Sequence, residues 1–319
     1  MSGLKPWKSV EEQLAILKSR GLQVGNESAA LNYLKRIGYY RLSGYWYPMR
    51  EIDTVASQQK QGPIRTDRFV AGSYFENVVK LYVFDKKLRL LALDAMERIE
   101  LALRVDVAYL LGKKDPVAYM KQACLHGNFS KRILQKGKNR GKTEHQLWLD
   151  KYNIQLDRAR REPFVQHHAN KYFNKLPIWV AIEIWDFGLL SRIFDGMQYA
   201  DKNQIAQKYG LADGKILAQW LRSLNFIRNV SAHHSRLWNI NVLELSPCPA
   251  GWPKMKNTRP FMYFAVMAHL LTVICPNSSW ISRLLELLHS YPVSGNMTLT
   301  LEDFGICSDW EKWLLREQE

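Results

Sequence analysis

A helical pattern of unusual length occupies the middle of the chain. It begins at residues 73–76, Ser-Tyr-Phe-Glu, which have the form of a capping box, and it continues at helical spacing to Leu111, with Gly112 as a suitable stop. Shorter helical patterns lie on both sides of it. No stretch of any length alternates polar and apolar residues with the period of a β-strand. The sequence therefore predicts an all-α fold that includes one long helix.

Two further features divide the predicted helices into regions. Residues 52–68 are polar and are predicted to form a loop, which is the best candidate for a boundary. Pro177 suits the first turn of an apolar helix that Gly188 then breaks. The predicted central bundle uses helices near 73–111, 145–172 and 177–197, and a helix that starts near Gly214. The predicted regions are 1–68, 69–242 and 243–319.

The charge of the chain indicates a polyanionic partner. Its 319 residues carry a formal net charge of +15 and have a sequence pI of about 9.6. A protein this basic usually meets nucleic acid, although basic residues spread evenly for solubility would give the same total. The four cysteines are far apart and form no C-x-x-C pair, which argues against a zinc site and favours reduced thiols.

The apolar stretches of the sequence argue against a membrane protein. They are too short or too interrupted by charge to span a bilayer, and the N-terminus lacks the apolar core of a signal peptide. No glycine-rich phosphate loop of the Walker or Rossmann type is present. We therefore expect a cytoplasmic protein that binds no membrane and needs no cofactor.

The helix near Gly214 carries two distinct faces. Apolar residues recur along one of them at helical spacing. A second set of residues, spaced three, four, four and three apart, gives a polar face next to the first. Its members are Arg222, Asn225, Asn229, His233 and Arg236.

The residue types on this polar face indicate chemistry rather than solvation. Asn and His are poorer helix formers than the Lys, Glu and Gln of an ordinary solvated surface. Asn229 lies one turn before His233, where its amide could orient the imidazole, and Arg228 lies beside both. A His that titrates near neutral pH beside guanidinium groups suits phosphoryl chemistry. A His that packs or caps on a basic surface is the alternative interpretation.

Three blocks of sequence resemble a known family. Residues 228–239 read R-N-V-S-A-H-H-S-R-L-W-N, residues 33–46 read Y-L-K-R-I-G-Y-Y-R-L-S-G-Y-W after K-P-W at 5–7, and residues 97–104 read E-R-I-E-L-A-L-R. The first block fits the R-x4-6-H motif of HEPN ribonucleases. Together the blocks resemble the Abi-like proteins of phage abortive infection, over residues 5 to about 240.

The resemblance implies both a fold and an activity. It implies a HEPN-like helical bundle with N-terminal and C-terminal helical extensions. It also implies a metal-independent endoribonuclease of phage defence, in which two copies of the motif meet in a homodimer. RNA would be the substrate, and in some relatives a regulatory RNA is a second partner. The chain would hold no metal.

The chemistry that RNA cleavage requires can be assigned to residues of the motif. RNA supplies its own nucleophile, the 2′-hydroxyl, and the products would be a 2′,3′-cyclic phosphate and a 5′-hydroxyl. We expect His233 to act as general acid or base, Arg228 to clamp the phosphate and Asn229 to orient them. Further support is predicted from three residues nearby, which are His234, Arg236 and Asn225.

Two groups of charged residues outside the motif are further candidates, each with two interpretations. Glu97 and Arg98 either position Arg228 and His233 or form ordinary surface ion pairs. The segment 131–142, here called the basic loop, is either a phosphate-contacting loop or a merely solvated one. The cations of the loop that are predicted to bind RNA are Lys136, Lys138, Arg140 and Lys142.

Two other classes of function fit the sequence. The first is an RNA-binding protein without catalysis, in which the polar face binds phosphate and His233 is passive. The second is a protein-interaction or phage-sensing module, against which the excess basic charge argues.

Overall fold

The computed structural model describes residues 3, 5–60, 63–171, 175–249 and 251–316. Within these ranges the chain is mostly helical, and the prediction of an all-α fold is confirmed. The helices are α1 (Val10–Ser19), α2 (Glu27–Ile37), α3 (Tyr39–Trp46), α4 (Thr54–Lys60), α5 (Phe75–Lys114), α6 (Gly127–Ser130), α7 (Glu144–Arg158), α8 (Pro163–Lys171), α9 (Ile178–Ala181), α10 (Phe187–Gly196), α11 (Tyr199–Lys208), α12 (Gly214–Ala232), α13 (Pro260–Ile274), α14 (Trp280–His289) and α15 (Trp310–Arg316). Two short strands, β1 (Arg50–Asp53) and β2 (Ile64–Phe69), pair antiparallel.

Helix α5 is the axis of the fold. Its 40 residues are continuously helical, which corresponds to a length of about 60 Å. Helices α3, α12, α13 and α14 all pack against it, because its apolar residues recur at helical spacing along most of its length. Helix α13 is deeply buried beside α5, since almost every residue from Pro260 to Leu271 is buried.

Both predicted ends of α5 are wrong in detail. The N-cap is Tyr74 rather than Ser73, since the Ser73 hydroxyl donates to the carbonyl of Met49. Glu76 accepts instead from the backbone amide of Gly25, so it joins α5 to the segment before α2. At the other end the helix passes Gly112, where Ile178 approaches so closely that a Cβ would lie 3.2 Å from its side chain. Gly112 therefore serves close packing rather than termination.

The predicted loop at 52–68 is ordered into a small hairpin. Strands β1 and β2 pair with a register irregularity between Arg50 and Ile52, and α4 connects them. The strands are too short to produce a visible alternation in the sequence, which explains why they were not predicted. Residues 61 and 62 of this predicted loop lie outside the described residues.

The helices predicted near 145–172 and 177–197 are each divided. Helix α7 starts from a capping box between Thr143 and Gln146, and α8 follows it after a turn; residue 172 lies outside the described residues. The apolar segment after Pro177 forms only the single turn α9 and a short 3₁₀ segment. The break comes at Asp186 rather than Gly188, because the Asp186 carboxylate accepts from the amide of Leu189 and caps α10.

One continuous hydrophobic core joins the three predicted regions. It includes Leu42 and Trp46 of the first, Leu88 and Leu224 of the second, and Phe264 of the third. The predicted boundaries between the regions stay a prediction. None of the helices in the described ranges combines the length and the apolar character that a membrane span requires.

Candidate functional site

Helix α12 lies antiparallel to α5. Near its beginning, the hydroxyl of Tyr209 donates to Asp106 of α5 at 2.6 Å. Just beyond its end, the amide of Trp238 donates to Asp85, which is much nearer the start of α5 than Asp106 is. The predicted apolar face of α12 is buried as expected, and it includes Leu217, Leu221, Leu224 and Ile227. The partly buried face next to it carries Asn225, Arg228 and Asn229.

The end of α12 is defined by a Schellman motif. The helix ends at Ala232, and His233 is its C-cap. The amide of His234 donates to the carbonyl of Ser231 at 3.1 Å, and the amide of Ser235 donates to that of Val230 at 3.0 Å. His234 takes a left-handed conformation with φ 58, which is uncommon for a residue other than glycine. His233 and His234 are consequently both exposed at the point where the helix stops.

The early end of α12 corrects two predicted positions. His234 does not continue the helix after His233, because it lies beyond the last helical residue and has a left-handed conformation. Arg236 does not share a face with His233: its guanidinium turns towards α3 and donates to the carbonyl of Gly44. A Cβ at residue 44 would lie 2.7 Å from that guanidinium, so a side chain there would move the guanidinium from this position. A phosphate contact by Arg236 stays a prediction.

The residues that follow α12, here called the motif tail (residues 233–238), are held by a buried carboxylate. Oδ1 of Asp85 accepts from the amides of Leu237 and Trp238 at 3.0 and 2.7 Å. Its other oxygen accepts from the hydroxyl of Tyr45 at 2.6 Å and pairs with Arg89. All the hydrogen-bonding capacity of this carboxylate is directed at the tail, α3 and its own helix.

The electrostatics of this buried network are balanced. Asp85 is fully buried and Arg89 is 5% exposed. Burial raises the pKa of the Asp85 carboxyl, while Arg89, Tyr45 and the two amides act in the opposite direction. Burial and the neighbouring Asp85 also raise the pKa of the Tyr45 hydroxyl, which is therefore a hydrogen-bond donor at neutral pH. Arg89 also lies 3.4 Å from the carbonyl of Ser235, so both charges touch the tail.

Helix α3 makes two more contacts with the motif tail. The guanidinium of Arg41 donates to the carbonyl of His234, and Gly44 accepts from Arg236 as described. The rings of Tyr45 and Trp46 are buried, so this part of α3 packs into the hydrophobic core. The N-terminal helices are thus fixed directly to the residues that bear His233 and His234.

Arg228 and Asn229 contact each other. Nη1 of Arg228 donates to the side-chain oxygen of Asn229 at 3.2 Å, and both side chains are partly buried. The amide of His233 donates to the backbone carbonyl of Asn229 at 3.0 Å. Among the described residues, the Asn229 side chain makes no bond to the His233 ring. Asn229 therefore orients the guanidinium rather than the imidazole in this structure.

The first half of the polar face is engaged with α10. Arg222 forms an ion pair with Asp195 at 3.1 Å. Asn225 is partly buried opposite Gly188, where a Cβ would lie 3.8 Å from its amide nitrogen. The exposed part of the predicted face is therefore limited to its end at His233, with Arg228 and Asn229 behind it.

Glu97 and Arg98 are not in contact with the motif residues. Arg98 pairs with Asp94 at 2.9 Å and donates to the hydroxyl of Ser278. Glu97 is exposed, and it forms no hydrogen bond or ion pair within the described ranges. The interpretation of Arg98 as a surface ion pair fits this geometry, and direct positioning of Arg228 or His233 does not.

The basic loop is connected through α10 to the end of the polar face at Arg222. Glu144, which follows the loop, forms an ion pair with Arg192 of α10, and Asp195 of the same helix pairs with Arg222. His233 lies about 16 Å further along α12 than Arg222. Lys142 pairs with Asp150 at 2.8 Å. The other three predicted cations are exposed and form no ion pair within the described residues; they are Lys136, Lys138 and Arg140.

Sequence reasoning missed the residues that hold the motif tail. Asp85 and Arg89 lie on the apolar face of α5, between Leu81, Phe84 and Leu88. Charged residues four apart on a buried helical face are unusual, because an unpaired buried charge is costly. That signal was available in the sequence. Their partners in α3 and the motif tail were not available in the sequence, since those contacts join residues 40 or more positions apart.

The described residues contain no group of three His, Cys, Asp or Glu side chains that could hold a metal ion. The predicted independence from metal is not tested by this observation. Independence from metal is a property of the reaction, and it stays a prediction.

Residues 32–239 match the model of a protein family described as Abi-like protein. The matched stretch covers more than half of the chain, begins within α2 and ends directly after the motif tail. No curated protein and no solved structure matches the chain.

Proposed function

Because the chain belongs to the Abi-like protein family, whose name denotes phage abortive infection, we propose that it acts in phage defence as a metal-independent endoribonuclease of the HEPN type. The observation that supports the proposal most is the state of His233. Its imidazole is exposed at the end of α12, while its backbone is fixed by the Schellman motif and the tail beyond it by Asp85. An exposed side chain on an anchored backbone is suited to proton transfer.

Arg228 and Asn229 supply the second part of the proposed site. The bond from Arg228 to Asn229 uses one of the five donors of the guanidinium, so several remain for a phosphate. Partial burial of Arg228 strengthens its attraction for an anion, because the charge is less screened by water. Arg228 would bind the scissile phosphate and stabilise the charge that develops on it.

The proposed reaction uses the 2′-hydroxyl of RNA as nucleophile. His233 takes the proton of this hydroxyl, or gives a proton to the leaving 5′-oxygen. A single imidazole does not easily do both, and the chain carries one copy of the motif. We therefore propose a homodimer with two-fold symmetry in which the exposed ends of both α12 helices meet. A protein that stays a monodisperse monomer at micromolar concentration would contradict this part.

Cleavage of a single-stranded RNA in the presence of EDTA tests the catalytic proposal. His233→Ala removes the proton-transfer group and should reduce cleavage about 100- to 10,000-fold. Arg228→Lys keeps the charge but loses the fork of donors, so it should also impair turnover. His167→Ala is a matched control, because His167 is exposed on α8 and outside the motif.

The products distinguish this mechanism from metal-dependent hydrolysis by water, which forms no cyclic phosphate, and the comparison with His233→Ala controls for a contaminating ribonuclease. End mapping should find a 2′,3′-cyclic phosphate and a 5′-hydroxyl, and circular dichroism should show each variant folded. Equal cleavage by folded wild type and His233→Ala would refute the proposal.

A second candidate is an RNA-binding protein without catalysis. The observation that favours it is the basic loop, in which Lys136, Lys138 and Arg140 are exposed and form no ion pair within the described residues. In that case RNA affinity would persist in every variant, and it would fall with salt in proportion to the number of phosphates contacted. A regulatory RNA could occupy the same surface under either function.

A further inference from the structure

Tyr40 is the most exposed large hydrophobic side chain of the described residues. Its exposed fraction is 92%, and its ring packs against no other ring in the described part of the chain. The neighbouring aromatic residues behave differently, since Tyr39 packs edge-on against Trp46 at 4.9 Å and Tyr45 is buried. Of the three tyrosines on α3, Tyr40 therefore directs its ring into solvent, while Tyr39 and Tyr45 pack against the protein.

The position of Tyr40 relates it to the proposed active site. Residues 40 and 44 are four apart on α3, so their side chains share a face of that helix. Gly44 on this face touches Arg236 of the motif tail. The next residue, Arg41, donates to the carbonyl of His234, which is adjacent to His233 in the chain. Tyr40 and Arg41 thus border the segment that carries the proposed catalytic histidine.

The charge of Arg41 is available to an anion. Its guanidinium has five donors, and its bond to a backbone carbonyl neutralises none of its charge. No carboxylate within the described ranges forms an ion pair with it, and the side chain is exposed. An exposed aromatic ring beside an unneutralised guanidinium is the combination that binds single-stranded nucleic acid, by stacking on a base and attraction to the backbone.

We propose that Tyr40 and Arg41 form a subsite for RNA, in which the ring of Tyr40 stacks on one nucleobase and Arg41 binds a phosphate next to the one at His233. This inference rests on the proposed function for the class of its substrate. Every base has a π-face, so the subsite would accept any base. It would place the strand across the end of α12, with the remaining nucleotides free to reach towards the basic loop.

Three variants test the subsite. Tyr40→Ala removes the ring, Tyr40→Phe keeps it, and Tyr109→Ala removes another exposed ring, 74% accessible and on α5. Tyr109 is 20 residues from Arg89 along α5, a separation of about 30 Å from the part of α5 that touches the motif tail. None of these side chains is in the core, so all three proteins should fold.

The binding probe is a fluorescein-labelled single-stranded RNA with methylated 2′-hydroxyls, which cannot be cleaved by 2′-attack. Loss of one base stack should weaken its binding about 5- to 150-fold in Tyr40→Ala. Tyr40→Phe and Tyr109→Ala should bind like wild type. Because stacking releases no counterions, the slope of affinity against salt should not change.

A second probe locates the base. The same strand with one abasic residue, placed at each position in turn, should bind wild type more weakly at one position. Tyr40→Ala should lose nothing further there, since both changes remove the same stack. Additive losses at every position, or an affinity of Tyr40→Ala within about twofold of wild type, would overturn the subsite.

Cleavage of unmodified RNA separates the subsite from the proposed catalysis. If wild type binds and cleaves RNA but Tyr40→Ala is unchanged, the subsite is wrong and the catalytic proposal stands. If wild type binds without cleaving and Tyr40→Ala binds weakly, the subsite stands and catalysis is wrong. If wild type binds no RNA, both are wrong.

Discussion

The buried pair of Asp85 and Arg89 predicts a large and specific loss of stability. Arg89→Met fills a similar volume but leaves the carboxylate of Asp85 without its counter-charge at a fully buried position. Tyr45 and two backbone amides still donate to it. Removing one partner of a buried pair costs about 3 to 5 kcal/mol, because an uncompensated charge stays in the interior.

The double variant provides the decisive comparison. In Asp85→Asn with Arg89→Met, the amide oxygen can still accept from the amides of Leu237 and Trp238. Its NH₂ group can donate to the oxygen of Tyr45. No unpaired charge remains, so the double variant should be more stable than Arg89→Met alone, by about 1 to 3 kcal/mol.

A second Asp–Arg pair on the same helix is a matched control. Arg98 pairs with Asp94, also four residues apart, and the two side chains are 30% and 27% exposed. Arg98→Met should therefore cost at most about 1 kcal/mol.

Urea unfolding followed by far-ultraviolet circular dichroism measures each free energy. A cost below about 1 kcal/mol for Arg89→Met, or a double variant less stable than the single one, would refute the reasoning.

Three further predictions follow from the same structure. His234→Gly should raise the free energy of unfolding by about 0.5 to 1 kcal/mol, because glycine adopts the left-handed conformation without strain; an unchanged or lower urea midpoint would contradict this. Burial lowers the pKa of His145, so the unfolded chain takes up its proton first, and stability should fall as pH drops below about 6.5; this slope should be shallower in His145→Gln. Neutralising Lys136, Lys138 and Arg140 of the basic loop should weaken RNA binding and flatten its dependence on salt, and an unchanged slope in a salt titration would exclude these cations from the interface.

The sequence by itself determined the features that depend on nearby residues. The apolar spacing of α12 predicted both its start near Gly214 and its buried face. Other local signals also coincide with helix ends, since α1 starts at the capping box of Ser9 and Glu12 and α13 ends two residues before Pro276. These signals are local, since a helix is stabilised by residues three and four apart and by caps at its ends.

The composition of the candidate site was predicted in part. The R-x4-H spacing identified Arg228 and His233 as candidates, and the structure brings Arg228 and Asn229 into contact. The helical spacing of three and four residues extended the polar face to Arg236, which was wrong. Periodicity assumes that the helix continues, and nothing in the apolar pattern indicated that His234 would adopt a left-handed conformation.

Only the tertiary structure decided how the motif is held. Asp85 meets Trp238 across 153 positions of sequence, and Arg41 meets His234 across 193. Such contacts form only when the helices pack. Several arrangements of the same helices would bury the apolar residues equally well, but a buried charge is stable only where hydrogen-bond partners surround it. The local pattern fixed which face of α12 is buried, and the long-range bonds of Asp85 and α3 fixed the position of the backbone that follows the helix, where both histidines are exposed.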